Sequence, residues 1–160
     1  MDTDKLNRWL TLAANIGVLI GIIILIVELR QNSQIMRAQT RAQLSEGIVN
    51  ILSENNADLT FNDILIRGDD AEELSEVEQF TYDRHRVAML AYWDNVFYQN
   101  QIGLYDVEEY SVQLLIIRRA ITNSPGIRRN YCRSKGTVSA AFAAEVESEA
   151  VGGLCQESTD

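Results

Sequence analysis

The sequence predicts an all-α protein: one N-terminal transmembrane helix that continues into a long helix, followed by a small helical bundle. Three observations predict it. Residues Trp9 to Val27 form a nineteen-residue run without a charge, with only Thr11 and Asn15 as polar side chains. Beyond that run, apolar residues recur at intervals of three and four, and no segment sustains strand-like alternation. A single proline and nine glycines leave few turn signals for a many-stranded sandwich.

The chain opens on a short flank, residues 1–8, followed by the membrane span at 9–28. At about 1.5 Å of rise per residue, nineteen residues cover roughly 28 Å, close to a hydrocarbon core of about 30 Å. A lone segment in lipid must pair its backbone groups internally, so it is a helix. The run exceeds a signal-peptide core and continues into Glu28-Leu29-Arg30-Gln31 with no A-x-A cleavage pattern. Ala13, Gly17 and Gly21 stand at i, i+4 and i+8, a small-residue ladder on which two helices can approach closely. Asn15 supplies an amide that seeks a partner in lipid. These four residues form the expected membrane-helix interface.

From Leu29 to Leu52 the pattern stays helical, with Ile35, Ala38, Ala42, Ile48, Val49 and Leu52 in register, so the span is expected to continue outward as far as Asn55-Asn56. A short helix is expected over 58–66, stopped by Gly68-Asp69-Asp70. Ser75-Glu76-Val77-Glu78 reads as a capping box opening a helix to Ile102, with Gly103 as its terminator. Its inward face is expected at Phe80, Val87, Leu90, Ala91, Trp93 or Asp94, and Phe97. Asp106 and Glu109 repeat the capping logic for a helix to Thr122, and Ser124-Pro125-Gly126 breaks it. Helices at 127–133 and 138–150 complete a domain spanning 29–151, and the polar tail 152–160 reads as loose.

Charge narrows the function classes. Fourteen Lys+Arg against 23 Asp+Glu give a net charge of −9, which does not suit a nucleic-acid partner. The charge is uneven: Glu54–Asp83 holds ten acids and one base, while Arg118–Lys135 holds six bases and no acid. Those blocks would pair within the domain, meet between subunits, or lie on anionic lipid. Lys and Arg near the span count three after it (Arg30, Arg37, Arg41) against two before it (Lys5, Arg8), which predicts a cytoplasmic domain. Cys132 and Cys155 would pull the other way if they were bonded.

No catalytic signature is present. His85 is the only histidine, flanked by Arg84 and Arg86, and it has no second ligand at helical spacing. No metal, cofactor or catalytic residue is therefore expected. The aromatic cluster Tyr92-Trp93-Asp94-Asn95-Val96-Phe97-Tyr98 holds Asp94 and Asn95 as a candidate buried polar pair, with Arg118 or Arg119 as the expected partner of Asp94.

The Leu29-Arg30-Gln31-Asn32 junction, Arg37-Ala38-Gln39-Thr40, and Asp94-Asn95-x-Phe97-Tyr98-Gln99 with Gly103-Leu104 resemble a family of small single-pass bacterial membrane proteins of uncharacterised function. The resemblance covers the chain to about Pro125. It implies an N-out, C-in topology, from which Lys5 and Arg8 depart, and supplies no activity; the expected location is a bacterial inner membrane. The expected function is a homo-oligomeric helical assembly in the bilayer, with rings of Asn15 inside the membrane and Glu28 at its boundary; if the assembly encloses water, it becomes an ion-conducting pore. The alternative is a membrane-anchored scaffold or adaptor that recruits another protein through its charged helical domain.

Overall fold

The computed structural model describes residues 3–53, 58–148 and 154–155. Among them the chain is helical, with no strand: α1 Thr3–Ser53, α2 Leu59–Asp69, α3 Glu76–Gln101, α4 Val107–Asn123, α5 Pro125–Ser134 and α6 Ala140–Glu147, with a 3-10 turn at Lys135–Thr137. The chain divides into two compact units, residues 1–39 and 40–160.

The first unit is helix throughout its described residues, and all of their side chains are exposed. Between Trp9 and Val27 the large apolar side chains are 46% to 70% exposed, so none of the described residues covers them. This helix is long and apolar enough to cross a membrane.

The second unit is a bundle around Leu90, Trp93, Val96, Phe97, Leu114, Ile117, Ile121, Tyr131, Phe142 and Val146. The C-terminal part of α1 contributes Thr40 and Leu44, which are buried one turn apart. Ile48 is half-buried, whereas Ala38, Ala42, Val49 and Leu52, expected on the same stripe, are exposed. Residues 54–57, where the sequence ends this helix, lie outside the described residues.

Helix ends follow local chemistry. The Asp58 carboxylate caps α2 by accepting from the Thr60 and Phe61 N–H groups. The helix does not stop before Gly68 but runs through it to Asp69. Ala71 is the residue at positive φ (59°). Its N–H bonds Gly68 O and the Glu72 N–H bonds Arg67 O, the pair of bonds that closes a Schellman end. Gly68 is small for another reason: it lies against the Tyr82 ring, which a Cβ would meet at 2.3 Å. At the end of α3, Gly103 does take the left-handed conformation (φ 73°).

The capping box of α3 is complete, with Ser75 and Glu78 bonding each other's backbone N–H. The inward face is rotated from the expected one: Tyr82 and Val96 join Leu90, Trp93 and Phe97 inside, while Phe80 is 61% exposed and Ala91 is exposed. At about 100° per residue, Phe80 lies roughly 160° from Tyr82, so both cannot face the core. Arg84 covers the Phe80 ring instead, at 5.7 Å.

Asp106 caps α4, which extends to Asn123. Helix α5 begins at Pro125, at the first helical position, and so includes part of the expected break. Helix α6 is capped by Ser139. Of the tail expected to be loose, Cys155 is bonded to Cys132 and Leu154 packs on the core; the rest of 152–160 lies outside the described residues.

Glu78 provides a test of this capping. The Ser75 N–H, then the Ser75 hydroxyl, then the Arg67 guanidinium stabilise its carboxylate and lower its pKa from 4.5 to about 2. A depressed acid stabilises the fold above its unfolded pKa and loses that effect as pH falls through the folded one. Glu78→Gln should therefore lower stability at neutral pH and flatten the acid side of the stability profile between those two values. Urea titrations at stepped pH would check it.

Candidate functional site

Polar side chains of the helical domain are gathered where α2, α3 and α5 meet. Asp69 accepts from the Tyr82 hydroxyl at 2.9 Å and forms a short ion pair with Arg86. The Ser124 hydroxyl donates to Asp69 O at 2.6 Å and accepts from the Ile127 N–H at 3.3 Å, so one side chain caps α5 and ties it to the end of α2. Gly126 lies directly against the Gly68 carbonyl; a Cβ there would stand 1.7 Å from that oxygen. Next to Tyr82 on α3, Asp83 accepts from Asn130 at 2.8 Å and from Arg133 at 2.8 and 3.0 Å. Burial and the Asp69 carboxylate push the Tyr82 phenol above its usual range, against the opposing pull of Arg86. These groups hold one another, except that Arg86 Nε and Asn130 Oδ1 are buried without a hydrogen-bond partner. They form a structural clasp.

The expected polar pair is placed differently from the sequence reading. Asp94 is half-buried and Asn95 exposed. Asp94 accepts from the Ser139 N–H at 3.0 Å and the Ser139 hydroxyl at 2.5 Å, so it steadies the start of α6 and does not pair with Arg118 or Arg119. Arg118 reaches Glu145 O and the Ser148 hydroxyl instead. Asn95 accepts from Gln99 one turn away, at 3.4 Å. The two residues bond different neighbours, although both line one open pocket beside Phe97, Tyr98 and Ser139.

His85 packs edge-on against Phe61, with ring centroids 5.3 Å apart. Burial, reinforced by Arg86, lowers its pKa below the ordinary 6.5. No group of three or more His, Cys, Asp or Glu side chains among the described residues could hold a metal ion. A groove of about 340 Å³ runs between the Leu44–Ile48 part of α1 and α4, floored by Tyr92 and Tyr105 and bridged by the Arg41–Glu109 ion pair at 2.6 Å.

In the first unit the small-residue ladder is open: a Cβ on Gly17 or Gly21 would meet nothing within 4 Å. At about 100° per residue, Ala13, Gly17 and Gly21 fall within roughly 80° of one another, on one ridge. Asn15 lies about 160° around the helix from Gly17, so it cannot share their interface in a straight helix. Asn15 and Glu28 are about 140° apart and do not together face one lumen. Glu28 falls instead on the glycine side, about 20° from Gly17.

The two charge blocks are joined within the domain through Arg133–Asp83 at 2.8 Å, and Lys135 of the basic block pairs with Glu147 outside the acidic one at 3.0 Å. Arg119, Arg128 and Arg129 are exposed and make no ion pair among the described residues. Comparison with protein-family models, with curated proteins and with solved structures finds no match in any of the three.

Proposed function

We propose that the chain is a single-pass protein of a bacterial inner membrane that self-associates through the Ala13–Gly17–Gly21 ridge and presents its helical domain as a non-catalytic scaffold. The observation that carries this reading is the stretch Trp9–Val27, whose apolar side chains are exposed on every face of the helix. Such a surface is stable only in lipid or against other helices. A ridge of small residues in lipid lets two backbones pack by close van der Waals contact. A binding role for the domain is supported by its polar side chains, which in the Asp69 and Asp83 clusters bond chiefly to one another, with Arg86 Nε and Asn130 Oδ1 left without a partner. Its partners are the bilayer, a second copy, and a further protein on the charged surface.

The domain belongs, on this reading, to the oxidising side of the membrane. The Lys and Arg count favours the cytoplasmic side by one residue, and the Cys132–Cys155 bond outweighs it, because cytosolic thiols are held reduced.

Gly17→Ile and Gly21→Ile test the self-association, since a branched side chain holds the two backbones apart. Each should weaken association of the detergent-solubilised protein about tenfold or more, read by light scattering with the detergent mass subtracted. An unchanged mass in both variants would remove α1 as the interface.

A further inference from the structure

Helix α4 is apolar on two opposite faces. Tyr110, Leu114, Ile117 and Ile121 are buried in the domain. Val112, Leu115 and Ile116 are 57%, 46% and 50% exposed. At about 100° per residue, this outer stripe is centred roughly 180° from the buried one. A helix apolar all round is normally covered all round. The outer stripe also carries opposite charges at its two ends: Glu108 one turn before Val112, and Arg119 one turn after Leu115. Both are exposed, and neither has an ion pair among the described residues.

We propose that this face of α4 packs antiparallel against the same face of a second copy, across a twofold axis. A twofold interface requires that if residue i meets j, then j meets i. Setting Glu108 opposite Arg119 of the other copy fixes the register. In that register Val112 faces Leu115, Ile116 faces the small Ser111, and every contact occurs twice. The row 108–112–116 then lies along the row 111–115–119 of the second helix, ridges of the i, i+4 kind that interdigitate in helix packing. Parallel pairing would set Glu108 against Glu108 and Arg119 against Arg119. An anionic lipid surface would attract Arg119 but repel Glu108, so the charge order favours a second copy.

The inference rests on the self-association proposed for α1. A single helix pair is smaller than the ~1,000 Å² that a free-standing specific interface exceeds. Joining two chains elsewhere raises the effective concentration of their α4 faces to about millimolar, where a small interface suffices.

Sedimentation equilibrium of the full-length chain in density-matched detergent tests it. Arg119→Glu places like charges at both ends and should weaken dimerisation about tenfold. The charge exchange Glu108→Arg/Arg119→Glu should restore affinity to within about threefold of the original. Leu115→Asp/Ile116→Asp should weaken it about a hundredfold, with helical circular dichroism unchanged. A charge exchange that fails to restore affinity, or an apolar pair of substitutions without effect, overturns the α4 interface. If Gly21→Ile still dissociates the protein in that case, self-association through α1 stands alone. A wild-type chain that sediments as a monomer overturns both. Variants that lose binding to anionic vesicles while keeping their mass assign the face to lipid and overturn the second copy as its occupant.

Discussion

Gly126→Ala should destabilise the helical domain by about 3 kcal/mol, lowering its melting temperature by roughly 15 °C. The new methyl group would stand 1.7 Å from the Gly68 carbonyl oxygen and 3.0 Å from that of Asp69. Both obstacles are backbone, so neither can rotate away. Relief requires α5 to move off the end of α2, which breaks the Ser124 hydroxyl bond to Asp69 O at 2.6 Å. Domains are stable by only about 5–15 kcal/mol, so the loss is a large share of the total. Gly136→Ala is the control: nothing lies within 4 Å of its added Cβ, and its melt should match the wild type. Thermal melts followed by circular dichroism compare the two. Equal melting temperatures would mean that α2 and α5 are not in contact at this point.

Cys132→Ser should cost about 3 kcal/mol, the loop-closure entropy returned to the unfolded chain when a link across 23 residues is lost. The bond also fastens Leu154 and Cys155 to the domain core. Because the loss belongs to the bond and not to one sulfur, Cys155→Ser and the double variant should melt at the same temperature as Cys132→Ser. Double-variant stability equal to wild type under non-reducing conditions would show that the link contributes nothing.

Much of the fold is legible in the sequence because helix ends are local events. Ser75 with Glu78, Asp106, and Gly103 act through bonds spanning a few residues, and each marks its boundary. Gly68 misleads for the opposite reason. Its small size suits the Tyr82 ring fourteen residues away, while the left-handed turn falls to Ala71, a residue with no such signature. Gly126 is similar: it looks like a turn residue, and it is a contact surface for another helix. The inward face of α3 is misplaced because aromatic and aliphatic residues surround that helix, so hydrophobicity alone does not choose a side. Asp94 finds Ser139 rather than Arg118, a pairing set by where α6 packs and not by charge. The small-residue ladder and the apolar span are one-dimensional patterns. Helical geometry alone separates Asn15 from them.

On the proposed function, α1 spans a bilayer and holds the domain on its oxidising face. Protease protection in sealed vesicles of opposite orientation, after a carbonate wash, tests it most directly. The protein should stay with the membrane, and its domain should resist protease in inverted vesicles and be cleaved in right-side-out spheroplasts. Release of the protein by carbonate would contradict the membrane span. Digestion of the domain in inverted vesicles, with protection in spheroplasts, would put it in the cytoplasm and contradict the orientation.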